Sequence, residues 1–252
     1  FLQTEIDLGE ILKTFPADPP TQNAVAACRG LRILRQEPWE CLASFILSST
    51  KQIVQIRQII ALLCEHFGET LTPALSHLMG EGGAKRRVRV GFVENQNSAF
   101  AFPSPEKIAS LTEAQLRRCK MGFRTPHLLA AARQIAGGKF DLEKIREMNY
   151  LEAQNELMKL RGVGKKIADC VLLFAYGFDS AFPVDVWIER ALQQLYFPRR
   201  KISEKKLRHF AATHFGPRAG YAQQYLFHFM RTKKIRQNKQ HGQNAKAPDL
   251  KF

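Results

Sequence analysis

The stretch KLRGVGKKIADC, Lys159 to Cys170, sets two glycines between helical patterns and follows them at once with two lysines. Helical periodicity runs through Tyr150 to Leu160 before it and resumes behind it, so the unit reads as helix, tight hairpin, helix. Gly162 and Gly164, on either side of Val163, permit positive φ and leave backbone N–H groups unshielded at the start of the second helix. That arrangement binds an anion such as a DNA phosphate. The same pentapeptide is also an ordinary turn between helices in which glycine serves geometry alone, and the hairpin leaves both readings open.

Helical spacing separates the two lysines. Lys165 shares a stripe with Asp169 at i+4, a polar side, and reads as a solvated or phosphate-facing charge. Lys166 shares its stripe with Cys170 and Phe174, which directs its ammonium toward a less polar setting. Burial penalises the charged form of a lysine, and the neutral amine is the nucleophile that forms Schiff bases. An inward lysine that snorkels or pairs with a carboxylate is the alternative. Nineteen residues after Lys166, the run AYGFDSAFPVDVWIERAL contains a glycine turn, an extended segment held out of the α region by Pro183, and Asp185 opening another helix. Asp185 is a natural helix cap. A carboxylate held rigidly there is also able to stabilise a developing cation or to assist deprotonation.

Outward from this segment nearly every stretch is helical, which gives an all-α fold class. In EPWECLASFILSSTKQIVQIRQIIALLCEHFG the apolar residues Trp39, Leu42, Phe45 and Ile46, then Ile53, Ile56, Ile60, Leu63 and Phe67, recur at helical spacing. The polar SSTK between them marks a break, with Ser49 or Thr50 able to cap the second helix and Gly68 closing it. Ser104 before Pro105, and Thr112, mark two further starts; GFRTPH is a turn before another helix. Residues 80–101 break the pattern with glycines, a basic cluster and a valine alternation suited to a short β-hairpin, and read as a flexible basic insertion. The organisation expected is one helical domain over residues 1–230 and a basic, disordered tail over 231–252.

The charge balance narrows the partner. Among 252 residues, 38 Lys and Arg against 23 Asp and Glu give a formal net charge of +15, an excess that concentrates a polyanion, nucleic acid first. A membrane is not indicated, because no apolar run approaches about 18 residues. Five scattered cysteines, odd in number and mostly in apolar helical contexts, argue for a reducing compartment and against a disulfide framework. With no CxxC, and no cysteine after Cys170, neither an iron-sulfur cluster, another metal nor a cofactor is legible. The chain opens at Phe1 rather than Met, as a processed or trimmed product does.

Five blocks in order carry a resemblance over nearly the whole chain: LRILRQEPWECLASFILSS (Leu31 to Ser49), MGFRTPHL (Met121 to Leu128), LRGVGKKIADC, FPVDVW (Phe182 to Trp187) and GPRAGYAQQYLF (Gly216 to Phe227). Together they resemble the helix-hairpin-helix GPD superfamily of DNA glycosylases, and most closely its 8-oxoguanine DNA glycosylase/lyase branch. The resemblance implies that Lys166 is the Schiff-base nucleophile and Asp185 its paired acid. It implies that Cys170, Gln223 and Phe227 line the pocket for an extruded base, and that Phe123 and Arg124 touch the orphaned base opposite. Gly162, Val163, Gly164, Lys165, Thr50 and Trp187 complete the DNA-contacting set. Gln223 and Phe227 read alone as a surface amide and a core aromatic.

The implied activity is release of an oxidised purine, most closely 8-oxoguanine, from double-stranded DNA, followed by β-elimination at the abasic site. The implied setting is a monomer inside the cell with the DNA, in a bacterial cytoplasm or nucleoid or in a nucleus. Two alternatives remain at this point: a monofunctional alkylated-base glycosylase, which resembles this fold but lacks the lysine, and a noncatalytic DNA-binding module. The chain departs from the best-known members at Thr50 and Gln55, where they carry an Asn and an Arg, at Trp187, which replaces a histidine, and in the 80–101 insertion. Those members also precede the helical region with a β-rich domain, and this chain begins where that domain would end.

Overall fold

The computed structural model describes residues 3–48, 52–71 and 99–240. In chain order the helices are α1 (Leu8–Lys13), α2 (Pro19–Ala27), α3 (Pro38–Ser48), α4 (Ile53–Phe67), α5 (Pro105–Ala109), α6 (Glu113–Arg117), α7 (Thr125–Ala136), α8 (Tyr150–Met158), α9 (Lys165–Val171), α10 (Val186–Tyr196), α11 (Glu204–His214) and α12 (Ala219–Gln240). The fold is all-α apart from two short antiparallel strands, β1 (Thr70–Leu71) and β2 (Ala99–Phe100), in which Thr70 pairs with Phe100. The residues fall into two compact units: Gln36–Val171, and the chain ends Phe1–Arg35 with Leu172–Phe252. A single domain over 1–230 was expected from sequence. The two ends form a unit of their own because α12 packs along α2, a pairing of distant segments that no local pattern announces.

In the unit Gln36–Val171 the core follows the helical periodicity. Leu42, Ile46 and Leu47 of α3 are sealed from solvent, as are Leu63 of α4, Leu128 of α7 and Leu157 of α8. Burying each such side chain stabilises the fold by about 1.5–3 kcal/mol. The Trp39 indole N–H donates to the Pro103 carbonyl at 2.9 Å, so its one polar atom is satisfied inside the core. Both expected helix starts are present: Ser104 Oγ accepts from the Lys107 N–H at 3.3 Å, and Thr112 Oγ1 from the Gln115 N–H at 3.3 Å.

Two details differ from expectation. Gln52 is the cap residue of α4; its N–H donates to the Gln55 side-chain oxygen at 3.1 Å, while the proposed caps Ser49 and Thr50 lie outside the described residues. The buried face of α4 begins at Ile59, leaving Ile53 and Val54 exposed. The strand pair forms at the two roots of the insertion; its valine alternation lies outside the described residues. At Gly68 a Cβ would stand 2.1 Å from the Ala101 carbonyl oxygen, so only glycine lets the chain ends of the insertion approach so closely.

The other unit opens on a π-helical turn, Leu172–Tyr176, whose wide ladder frees backbone carbonyls. Arg35 donates to one of them, the Leu173 carbonyl, at 3.2 Å, and to the Gln3 side-chain oxygen at 2.9 Å. Its guanidinium fills the place where a Cβ on Gly177, at φ +81°, would sit. Asp18 caps α2 through the Thr21 N–H at 2.9 Å and also accepts from the Tyr196 hydroxyl at 3.0 Å, fastening α10 to the N-terminal stretch. Tyr225 of α12 is fully buried, with its hydroxyl donating to the Leu31 carbonyl at 3.1 Å. The tail expected from residue 231 is helical as far as Gln240, because RTKKIRQNKQ is rich in helix formers and holds neither Gly nor Pro. Residues 241–252 lie outside the described set.

Candidate active site

The hairpin between α8 and α9 is built by its glycines in different ways. Gly162 adopts φ +86°, and a Cβ there would meet the His127 ring at 2.7 Å, so both backbone and packing demand glycine. Gly164 has no positive φ and open space where a Cβ would be. Among the described residues nothing requires glycine at 164. Val163 between them is buried and anchors the turn, its N–H donating to the Leu160 carbonyl at 3.0 Å.

Beyond the turn, Lys165 is exposed, Lys166 half-buried and Cys170 only 5% exposed, the order expected for one helix rotating from solvent into a core. Asp169 overturns its expected place on a solvated stripe with Lys165. It is fully buried and accepts from the Tyr150 hydroxyl at 2.8 Å and from the Gln154 amide of α8. A carboxylate is tolerated at a buried position when donors reach it, and here they come from the facing helix.

A second element joins the hairpin within the same unit. Gly122–Arg124 form a 3₁₀ turn ahead of α7; Phe123 is 55% exposed, and the Arg124 guanidinium lies 4.5 Å from its ring centroid. His127, one turn into α7, carries this element to the hairpin, since its ring packs on Gly162. Burial pushes the His127 pKa down, and the charges of Arg124 and Arg161 push it the same way. The proposed pair Phe123 and Arg124 therefore stands beside the glycine turn. His127 is not singled out in the sequence, although it ends the quoted GFRTPH run. Thr50 lies outside the described residues, and Gln55 is turned back onto the start of its own helix.

The remaining residues lie in the unit of the chain ends. Asp185 caps α10, its carboxylate accepting from the Ile188 N–H at 2.8 Å, after a buried segment from Ala181 to Val184. Trp187 is half-buried. α12 packs against α10 and presents Gln223, whose amide donates to the Pro183 carbonyl at 3.1 Å and whose oxygen accepts from Gln224. Gln223 is thus 3% exposed and fixed against the Asp185 segment, rather than a surface amide. Phe227, one turn on, is half-buried, and the Arg231 guanidinium lies 5.2 Å from its ring centroid. Arg231 was not singled out from sequence. In a basic C-terminal run it reads as one charge among many.

Among the described residues no disulfide joins any of the five cysteines, and burial pushes the thiol of Cys64 up to about 12 and that of Cys119 up to about 11. No group of three or more His, Cys, Asp or Glu among those residues converges to hold a metal ion. No helix among them is long and apolar enough to cross a membrane.

Residues 43–217 match the family model for HhH-GPD superfamily base excision DNA repair proteins, and residues 1–42 match that for the N-terminal domain of 8-oxoguanine DNA glycosylase. The second match places the first 42 residues against that N-terminal domain, where the sequence alone leads one to expect the chain to begin at the domain's end. A probable N-glycosylase/DNA lyase of Methanothermobacter thermautotrophicus is 32% identical over 230 residues, covering 86% of this chain and 69% of that protein. An N-glycosylase/DNA lyase of Saccharomyces cerevisiae is 32% identical over 179 residues, 67% of this chain and 42% of that protein. The solved structure of Clostridium acetobutylicum 8-oxoguanine glycosylase/lyase, in complex with double-stranded DNA containing cytosine opposite 8-oxoG, is 35% identical. It superposes with a TM-score of 0.80 over 93% of this chain and 73% of its own.

Proposed function

The chain belongs to the HhH-GPD superfamily of base excision DNA repair proteins, and from that premise we propose that it is a bifunctional glycosylase/lyase that removes 8-oxoguanine from double-stranded DNA. The observation that carries the reading is the pairing of Gly164 with Lys166. One leaves backbone open where no part of the protein needs the space, and the other holds an amine two residues along the same turn. A phosphate seated against the open backbone brings a deoxyribose to that amine.

An enzyme acting on one base must draw it out of the stack, at a cost of a few kcal/mol that stacking and edge hydrogen bonds offset. Phe227 supplies an aromatic face. Gln223 retains a second N–H and an oxygen lone pair for the base edge, and the family resemblance adds Cys170 to the residues proposed to contact that base. As the N-glycosidic bond lengthens, the sugar gains oxocarbenium character that Asp185 stabilises. The Lys166 amine attacks C1′, the base departs with the bonding electron pair, and loss of the amine proton and ring opening give an imine. The imine acidifies the C2′ proton; its removal expels the 3′ phosphate and nicks the strand.

Phe123 and Arg124 touch the orphaned base on the opposite strand. Val163, Lys165 and Trp187 position the backbone, with Thr50 on the opposite strand. The protein acts as a monomer, inside the cell, where its DNA is. Borohydride reduction on a duplex containing 8-oxoguanine tests the reading. Covalent capture that disappears in Lys166→Gln is the expected result, and binding with neither capture nor base release would overturn it.

A further inference from the structure

We propose that Arg231 is a positioning residue for base excision: its guanidinium backs one face of Phe227 and sets the ring as the platform on which the extruded base stacks. The inference rests on the glycosylase reading and adds to it a residue that no sequence block singled out.

Arg231 follows Phe227 by four residues on α12, so the two side chains lie on one stripe. The guanidinium stands 5.2 Å from the ring centroid, within reach of a cation–π contact. Phe227 is half-buried, so part of its ring remains open to solvent; besides the guanidinium, the His228 ring meets it edge-on at 5.7 Å. A second relation bears on the charge of the guanidinium. α12 packs on α10, whose cap is Asp185, and the opposite charge of Asp185 favours the charged form of Arg231 against a burial that disfavours it. The neighbouring His228 is only 9% exposed, and its pKa is pushed down by burial and then by Arg231.

A free phenylalanine ring at the edge of a core turns between rotamers, and each turn removes the flat surface that a flipped base needs. A planar cation stacked on its back favours one rotamer. It also draws π density from the open face, which favours an electron-rich purine there.

The test separates steps that do and do not involve the base. Arg231→Met keeps bulk and removes charge; Arg231→Lys keeps charge and loses the planar stack. Each is assayed for release of 8-oxoguanine from duplex DNA under single turnover, and for borohydride capture on a duplex carrying a preformed abasic site. In Arg231→Met, base release is expected to fall roughly tenfold while abasic-site capture stays at the wild-type rate. Arg231→Lys is expected to recover part of the loss. Equal losses in both assays would mean that Arg231 serves folding or phosphate binding, and unchanged base release would mean that it does not support the ring; either result overturns the proposal. Lysine performing no better than methionine would also overturn it. Failure of the wild-type protein in both assays would sink the glycosylase reading itself, a separate outcome.

Discussion

The Tyr150 hydroxyl donates to the buried Asp169 carboxylate at 2.8 Å, tying the helix that enters the hairpin to the helix that leaves it. Gln154 reaches the same carboxylate from one turn further on, so the hairpin is braced from inside by one acid and two donors. Tyr150→Phe removes one donor and leaves Gln154 in place, for an expected loss of about 1 kcal/mol. Asp169→Leu removes the acceptor that both donors share, leaving Gln154 its bond to the Tyr150 oxygen at 2.9 Å, and is expected to cost about 2–4 kcal/mol. Urea denaturation of the two variants measures the difference, and equal midpoints would contradict the bracing role.

The two hairpin glycines are expected to part company on substitution. Gly162→Ala forces a side chain into φ +86° and into the His127 ring, so stability falls by about 1–3 kcal/mol. Gly164→Ala meets open space, and its melting temperature stays near that of the wild type. Its affinity for DNA drops if the backbone there approaches a phosphate. Thermal melts together with fluorescence anisotropy on a duplex check both halves.

Asp185 carries a structural duty alongside its proposed chemical one. Asn caps helices as well as Asp does, so Asp185→Asn is expected to keep the bond from the Ile188 N–H and the stability of α10 while base release slows sharply. Asp185→Ala is expected to lose both, with about 1 kcal/mol gone from the cap. Wild-type turnover in Asp185→Asn would remove the carboxylate from the mechanism.

Acid is expected to weaken the fold through two histidines before it reaches the carboxylates. Burial pushes His127 and His228 down, with Arg124 and Arg161 adding to the effect at the first and Arg231 at the second. Each holds a proton less readily folded than unfolded. The unfolded chain therefore takes up more protons as pH falls through about 6.5, and stability declines from there downward. Asp18 contributes separately. Burial raises its pKa, but the bonds from the Thr21 N–H, His214, Tyr196 and the Thr21 hydroxyl outweigh that and hold it down, so its share is lost only below about 4. Urea midpoints at pH 7.5 and 5.5 are expected to differ, and the gap to narrow in His228→Asn.

Opposite-base selection is expected to be weak. The Gln55 oxygen accepts from the N–H of Gln52 at 3.1 Å and so caps its own helix. A bidentate contact to a base is worth about 1–3 kcal/mol of discrimination, and a side chain engaged in a cap does not supply it. Excision rates for 8-oxoguanine opposite each normal base are expected to lie within about tenfold of one another, the lower part of that range. A hundredfold preference for cytosine would show that Gln55 leaves the cap on binding.

Local chemistry made much of this protein legible in its sequence. Ser104, Thr112 and Asp185 start helices where expected, because a cap is a bond between a side chain and a backbone N–H two or three residues away. The bend at Gly162 is local in the same sense. Asp169 was misjudged because i+4 spacing to Lys165 reports one helix only, while its partners Tyr150 and Gln154 stand on another. Arg231 was passed over because a basic run looks uniform until one of its members is seen against a ring.

By itself, then, the sequence determined the helical class, the hairpin and the residue types suited to an amine and a carboxylate. These depend on backbone preferences and on neighbours within a turn or two. Tertiary structure alone decided which polar groups are buried, that His127 rests on Gly162 and that Gln223 is fixed to the Pro183 carbonyl. Such contacts join helices separated along the chain, and their energies arise only when packing brings the partners within a few ångströms and takes water away.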